Sequence, residues 1–425
     1  MIRTVGKAFK IPEMRFKMIF TLLMLLVFRI GSNIPVPGIN RETLSQVFTG
    51  DTGLFDLFDL FSGGSFSNFT IFALSITPYV TASIIVQLLT VAFPYFQNLA
   101  KEGNEGRKKM ASITRYMTVG LAFIQAIGLT VGLFRSAIID QSAFSIIVII
   151  LILSAGTAFL MWLGEQINEK GVGNGISIII FAGIIARVPS GIRSIITSYS
   201  EGDISIVTLI LFVIFAVAVI VGIIEIQQGT RRIPVQYAKR VVGRKMYGGQ
   251  ATHIPLKVNQ AGVIPVIFAL SLLQFPLTIT YFLQSNSDFT AFVNKYLSVG
   301  GSPGVWIYSI LNIILILFFT YFYTTITFNP VEVANNMKAN GGFIPGIRPG
   351  KATVEYLTKV MNRICLVGGI FLAIVATLPT LLSGLTAIDV RFGGTSLLIV
   401  VGVALDTMKQ IESQMMMRNY KGFLK

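Results

Sequence analysis

The chain of 425 residues carries a single histidine, His253, and a single cysteine, Cys365. A His/Cys metal centre or a disulfide framework needs several such residues, so neither is expected, nor is any cofactor. His253 falls in a polar stretch, so the apolar segments lack the histidine that a membrane-embedded serine hydrolase would use. They also supply no pair of aspartates for an intramembrane aspartyl protease, and no GxxxxGK[ST] phosphate loop occurs anywhere. Ion-coupled pumps keep a carboxylate or lysine deep in the bilayer. Here Arg29, Glu165, Glu225 and Asp406 stand at the ends of apolar segments, and the interiors are apolar or mildly polar, as at Thr77, Gln87 and Asn312. This inventory points away from an enzyme and toward a pathway without a charged site, suited to a chemically varied cargo.

The elements that would line such a pathway follow from composition. Hydrophobic residues make up 53% of the chain and charged residues only 12%, about half the charged share of a soluble domain. Lipid is the solvent that suits such a chain. Runs long enough to cross a bilayer, about 20 residues each, are expected at 18–35, 70–92, 116–134, 144–163, 176–188, 204–224, 261–283, 305–327, 364–383 and 395–411. The basic stretch Arg3, Lys7, Lys10, Arg15 and Lys17 precedes the first run, with no small-residue cleavage site after it. With the N-terminus cytosolic, 27 of the 34 Lys and Arg fall on the cytosolic side, whereas the 19 acids divide evenly. Only basic residues are asymmetric, as the positive-inside rule requires. The run 176–188 is short, but without it the loop holding seven basic residues would lie outside. It is therefore expected to cross, buried among other helices.

Three features depart from simple spans. Segment 54–67 (LFDLFDLFSGGSFS) is too short to cross, places Leu54, Phe55, Leu57, Phe58 and Phe61 on one helical face, and ends at Gly63-Gly64. The second and seventh spans contain Pro78, and Pro265 with Pro276, which leave carbonyls unpaired and loosen a helix. Loops 225–258 and 328–363 are long, basic and rich in turn signals, so they read as ordered cytosolic features. In GVGNG (171–175) the glycines read as a tight turn and close helix approach, since no Lys-Ser/Thr follows. Five spans on either side of the middle allow two halves of opposite topology, as in secondary transporters built from inverted repeats. A transporter of that kind remains an open alternative at this point.

Seven stretches, in order and at matching spacing, carry a resemblance: VFRIGSNIPVPGI (27–39), FALSITPYVTASIIVQLLT (72–90), GEQINEKGVGNGISIIIFAGI (164–184), RRIPVQYAKR (231–240), THIPLKVNQAGVIPVIFA (252–269), GGFIPGIRPG (341–350) and FGGTSLLIVV (392–401). Over nearly its whole length the sequence resembles the SecY family, the central subunits of the bacterial Sec protein-conducting channel. The resemblance implies an all-α membrane protein of ten transmembrane helices, in two pseudo-symmetric inverted halves of five around an hourglass pore, with a short re-entrant plug helix. The divisions would be a cytosolic segment 1–17, halves 18–203 and 204–411, and a cytosolic tail 412–425.

Carried over by residue, the resemblance implies a pore ring of Ile76, Val80, Ile176, Ile180, Ile267 and Ile399. Branched apolar side chains in a narrow ring wet poorly and offer no hydrogen bonds that favour one peptide over another; Val80 is smaller than the isoleucine common at its position and loosens the seal slightly. The plug would comprise Phe55, Leu57, Phe58, Leu60, Phe61, Gly63 and Gly64, and the lateral gate between spans two and seven would include Gln87, Asn259 and Pro265. Arg348, Lys239, Arg240, Arg244 and Lys245 would dock a motor or ribosome, guanidinium forks suiting RNA phosphates and acidic surfaces. The implied partners are SecE and SecG, the SecA motor ATPase, the ribosome, membrane lipid, and a substrate polypeptide bearing a signal sequence or membrane segment. The implied site is the bacterial plasma membrane, with both termini cytosolic.

Overall fold

The computed structural model describes residues 6, 8–40, 42–44, 59, 62–202, 205–237, 240–242, 245–247, 251–280, 288–297, 304–385 and 394–422. In chain order its longer helices are α1 (Pro12–Gly31), α2 (Thr77–Ala92), α3 (Pro94–Lys101), α4 (Asn104–Ile127), α5 (Ala143–Lys170), α6 (Gly175–Ser200) and α7 (Ile206–Gln228). There follow α8 (Ile264–Thr280), α9 (Asp288–Tyr296), α10 (Gly304–Thr327), α11 (Pro330–Ala339), α12 (Lys351–Leu385) and α13 (Gly394–Gly422). A π-turn over Gly128–Leu133 extends α4.

Each of the ten expected runs falls on one of these helices. Among the described residues, seven helices are long and apolar enough to cross a membrane by themselves, and α2 with α3 makes an eighth if the bent pair is one span. α1, which carries Glu13 in its first turn and Arg29 in its last, is outside that set. So is α8, with 17 residues. α7 shows the lipid-facing extreme, with Ile223 its only buried side chain and Ile206, Ile210, Val213, Ile214 and Val217 exposed.

Three expectations need correction. The second span does not begin as a helix at 70: residues 70–76 run through turns in which Ser75 has φ +52°, and α2 starts at Thr77. Pro78 therefore lies in the first turn, as does Pro265 in α8, where a missing N–H costs nothing. Pro276 is interior to α8, and the sequence reading passed over Pro189 inside α6. The chain also turns by 100° between α2 and α3 at Phe93-Pro94. Finally, the fifth span is not short: α6 runs for 26 residues, past Arg187, Pro189 and Arg193. Its buried residues end at Ile184, so only its first half is enclosed.

The helices before residue 203 and those after it meet where α2 lies against α8 and where α6 lies against α13. A single apolar core runs through both sets, with Phe28, Ile84, Leu163 and Ile179 from the first and Phe268, Phe319, Leu372 and Leu398 from the second. Close approach between α5 and α6 depends on glycine. A Cβ on Gly175 would overlap the Gly164 carbonyl oxygen, and Gly173 has φ +86°, so GVGNG makes the tight turn and helix contact expected of it.

The two long polar loops fold together. Strand β1 (Thr230–Tyr237) pairs antiparallel with β4 (Ala251–Lys257), with Ile233 opposite Ile254. The two-residue strand β5 (Gly342–Phe343) joins the other edge of β1 at Gln236 and Tyr237. Pro234 is tolerated because β5 meets β1 only beyond it, leaving the earlier part of that edge without a ladder. Ile233, Val235 and Leu256 from the first loop bury against Ala334, Met337, Ile344 and Leu357 from the second. Between β1 and β4 lies the hairpin of β2 (Arg240–Val242) and β3 (Lys245–Tyr247).

A conduit between the two halves

Four of the six residues expected in the ring come together. Ile76 precedes α2, Val80 lies in its first turn, Ile180 comes from α6 and Ile267 from the first turn of α8. They line one cavity of about 20 Å³, room for roughly one water. Ile76, Val80, Ile180 and Ile267 are all buried. The two remaining members stand apart from this lining: Ile399 is fully buried within the same apolar core, and Ile176 packs on it against Gly164.

The wall of the cavity is not wholly aliphatic. Ser75, Thr77, Ser271 and Gln274 share it, and the buried Nε2 of Gln274 has no acceptor among the described residues. Sequence reasoning missed Gln274, although a glutamine in the middle of an apolar run is itself a signal.

A larger cavity of about 260 Å³ opens between the N-terminus of α6, the C-terminal ends of α7 and α10, the segment entering α8, and α13. Its lining is polar and includes Asn174, Gln227, Lys257, Asn259, Asp406 and Gln410. Asn259 donates through Nδ2 to the Gly262 carbonyl at 2.9 Å, while its Oδ1 is buried with no partner among the described residues. Gln87 of α2 also buries an Oε1 with no partner among the described residues, and it is not among the residues lining this cavity.

Of the segment expected to form a plug, Phe55, Leu57, Phe58, Leu60 and Phe61 lie outside the described residues. Gly63 and Gly64 occupy the turn that follows, with φ +66° and +93°. A Cβ on Gly63 would stand 2.8 Å from the Cα of Gly183 on α6, so the turn sits directly on that helix.

Arg348 is exposed in the turn after β5, and its carbonyl accepts from Thr353 Oγ1 at 2.9 Å. Gly346 and Gly350, with φ +80° and +106°, shape that turn on either side. Arg240 and Lys245 lie on the β2–β3 hairpin, and Lys239 and Arg244 lie outside the described residues.

A narrow, largely buried cavity ringed by branched aliphatic side chains, a larger polar cavity and helices exposing aliphatic surface fit a polytopic helical membrane channel. A family model described as SecY matches residues 70–408. "Protein translocase subunit SecY" of Halalkalibacterium halodurans is 52% identical, with all of both chains covered. The protein of that name from Bacillus subtilis is 48% identical, again over the whole of both chains. Among solved structures, "The structure of a protein conducting channel" matches with a TM-score of 0.68 at 20% identity, covering 94% of this chain and 92% of that one. "Sec61 in the Canine ribosome-channel complex from the endoplasmic reticulum" matches with a TM-score of 0.63 at 18% identity, covering 94% and 92%. The chain belongs to the SecY family.

Proposed function

We propose that this chain is the protein-conducting subunit of a bacterial translocase, passing unfolded polypeptides across the plasma membrane and releasing membrane segments sideways into lipid. The observation that carries this reading is the cavity at which Ile76, Val80, Ile180 and Ile267 converge. An aliphatic constriction gives no side-chain recognition, which is what a cargo of arbitrary sequence requires. A secondary transporter would need a dedicated site of convergent polar groups at broken helices near the midplane, and the relatives of 52% and 48% identity named as protein translocase subunits speak for the channel instead.

Under this reading the ring comprises Ile76, Val80, Ile176, Ile180, Ile267 and Ile399, and the plug comprises residues 54–67. The lateral gate is the α2–α8 seam, with Gln87, Asn259 and Pro265 along it. Ten crossings in two inverted halves put both termini and the β-sheet in the cytosol, where Arg348 and the hairpin tip at 239–245 meet the motor or ribosome. The channel is not itself an enzyme: SecA, the ribosome and the proton-motive force supply the energy, and SecE and SecG are its small membrane neighbours. The exposed aliphatic face of α7 is consistent with such a neighbour or with lipid.

The test places a photo-crosslinker at Ile76 or Ile267 and stalls a secretory chain in transit. Adducts to the stalled chain at both positions are expected. Normal transport without adducts refutes the pore assignment.

A further inference from the structure

Resting on the plug reading, we infer that Asp59, Arg187 and Arg29 form a polar latch that docks the plug turn on α6 and keeps the idle conduit shut. Asp59 is 3% exposed. A carboxylate buried that deeply has to be compensated. One of its oxygens, Oδ2, ion-pairs with the Arg187 guanidinium of α6. The other, Oδ1, accepts from the Ser62 hydroxyl at 3.2 Å and the Ser67 backbone N–H at 3.0 Å. One side chain thus ties both ends of the Ser62–Ser67 turn together and joins that turn to a transmembrane helix.

The turn is held from two further directions. Arg29, in the last turn of α1, donates through Nη1 to the Gly63 carbonyl at 3.2 Å. Gly63 meets the backbone of Gly183, which lies four residues before Arg187 and so on the same face of α6. The glycine contact lets the turn approach, and the guanidinium one helical turn further on grips it. α1 and α6 both contribute to the hold, so release of the turn needs the pair to separate and both ions to hydrate.

The pair is suited to a reversible hold rather than a permanent staple. The Arg187 side chain retains 22% exposure against 4% for Asp59. One partner is thus incompletely enclosed, and the cost of separation is moderated compared with a fully enclosed pair. An apolar contact of the same strength would give no such dependence on charge.

The test measures resting ion conductance of the purified channel in planar bilayers, without substrate. The variants are Asp59→Asn, Arg187→Gln, their double combination, and deletion of 56–64. Each single variant is expected to raise conductance about tenfold or more, with the double variant no leakier than the worse single. Because Arg187 is the less buried partner, Arg187→Gln decides the matter if Asp59→Asn does not accumulate. A leaky deletion with silent single variants overturns the latch and keeps the plug. A silent deletion overturns the plug reading itself. Multiplicative leakage in the double variant shows that the two residues act separately, and also overturns the latch.

Discussion

Ile180→Ala removes three carbon groups from the wall of the cavity that Ile180 shares with Ile76, Val80 and Ile267, a space of about 20 Å³. Each group is comparable to one water's share of the liquid, about 30 Å³, so the room grows from one water to roughly four. A purely apolar cavity of that size would stay dry, but Ser75, Thr77, Ser271 and Gln274 line this one and offer partners to the incoming waters. Large-to-small substitutions at buried sites cost about 2–5 kcal/mol. Taking the low end, because helices in lipid relax readily, and assigning it to the closed state alone, the open fraction rises by roughly 30-fold. The assay is single-channel conductance in planar bilayers with no substrate present. Leu372→Ala is the control: it lies in the same core but outside both the cavity and the proposed ring, so it is expected to lower thermal stability without raising conductance. Parental conductance in a normally inserted Ile180→Ala channel, or equal leakage from Leu372→Ala, refutes the assignment of the seal to the cavity lining.

Two further outcomes follow from the geometry. Arg348→Glu reverses the charge on an exposed turn whose backbone is fixed by Thr353, so motor-driven export in reconstituted vesicles is expected to fall at least about tenfold while membrane insertion is unchanged; unchanged export removes the docking role. Gly175→Ala drives a Cβ into the Gly164 carbonyl oxygen, so α5 and α6 have to part at a cost of about 1–3 kcal/mol; a thermal transition in detergent that matches the parent excludes this close approach.

Helices were legible wherever an apolar run was unbroken, because lipid demands both the length and the composition. Their ends were less so. The ninth span reads as 364–383, yet α12 begins at Lys351, and Val354, Leu357, Val360 and Ile364 continue an apolar face that packs on the small core shared with the sheet. The fifth span reads as 176–188, whereas α6 continues past Arg187 and Pro189 to Ser200. The carboxylate that makes Arg187 tolerable, Asp59, is 128 residues away, and local pattern carries no trace of it. Strand β5 is likewise two residues long and pairs with a strand about a hundred residues earlier, so no periodicity could announce it. As for the ring, isoleucines are common in spans, and only the resemblance singled these out. The structure then separates the four that share a cavity from Ile176 and Ile399, a distinction of side-chain direction that sequence does not contain.

The proposed gate also has an energetic logic in the α2–α8 seam. Between helices in lipid there is no hydrophobic drive to associate, because the tails are as apolar as the side chains they replace. Parting α2 from α8 toward lipid therefore costs mainly packing contacts, whereas wetting the aliphatic ring costs the exposure of apolar surface to water. The proposed seam also carries polar atoms with no protein partner among the described residues: Gln87 Oε1 on α2, Gln274 Nε2 on α8 and Asn259 Oδ1 at the entry to α8. Gln274 and Asn259 face cavities that can hold water, so the penalty of about 1–3 kcal/mol applies only to an atom left dry. A polypeptide backbone or incoming water relieves it. The same penalties that make the seam a poor permanent contact thus bring its open and closed forms closer in free energy, which is the condition for a substrate segment of modest binding energy to shift the balance.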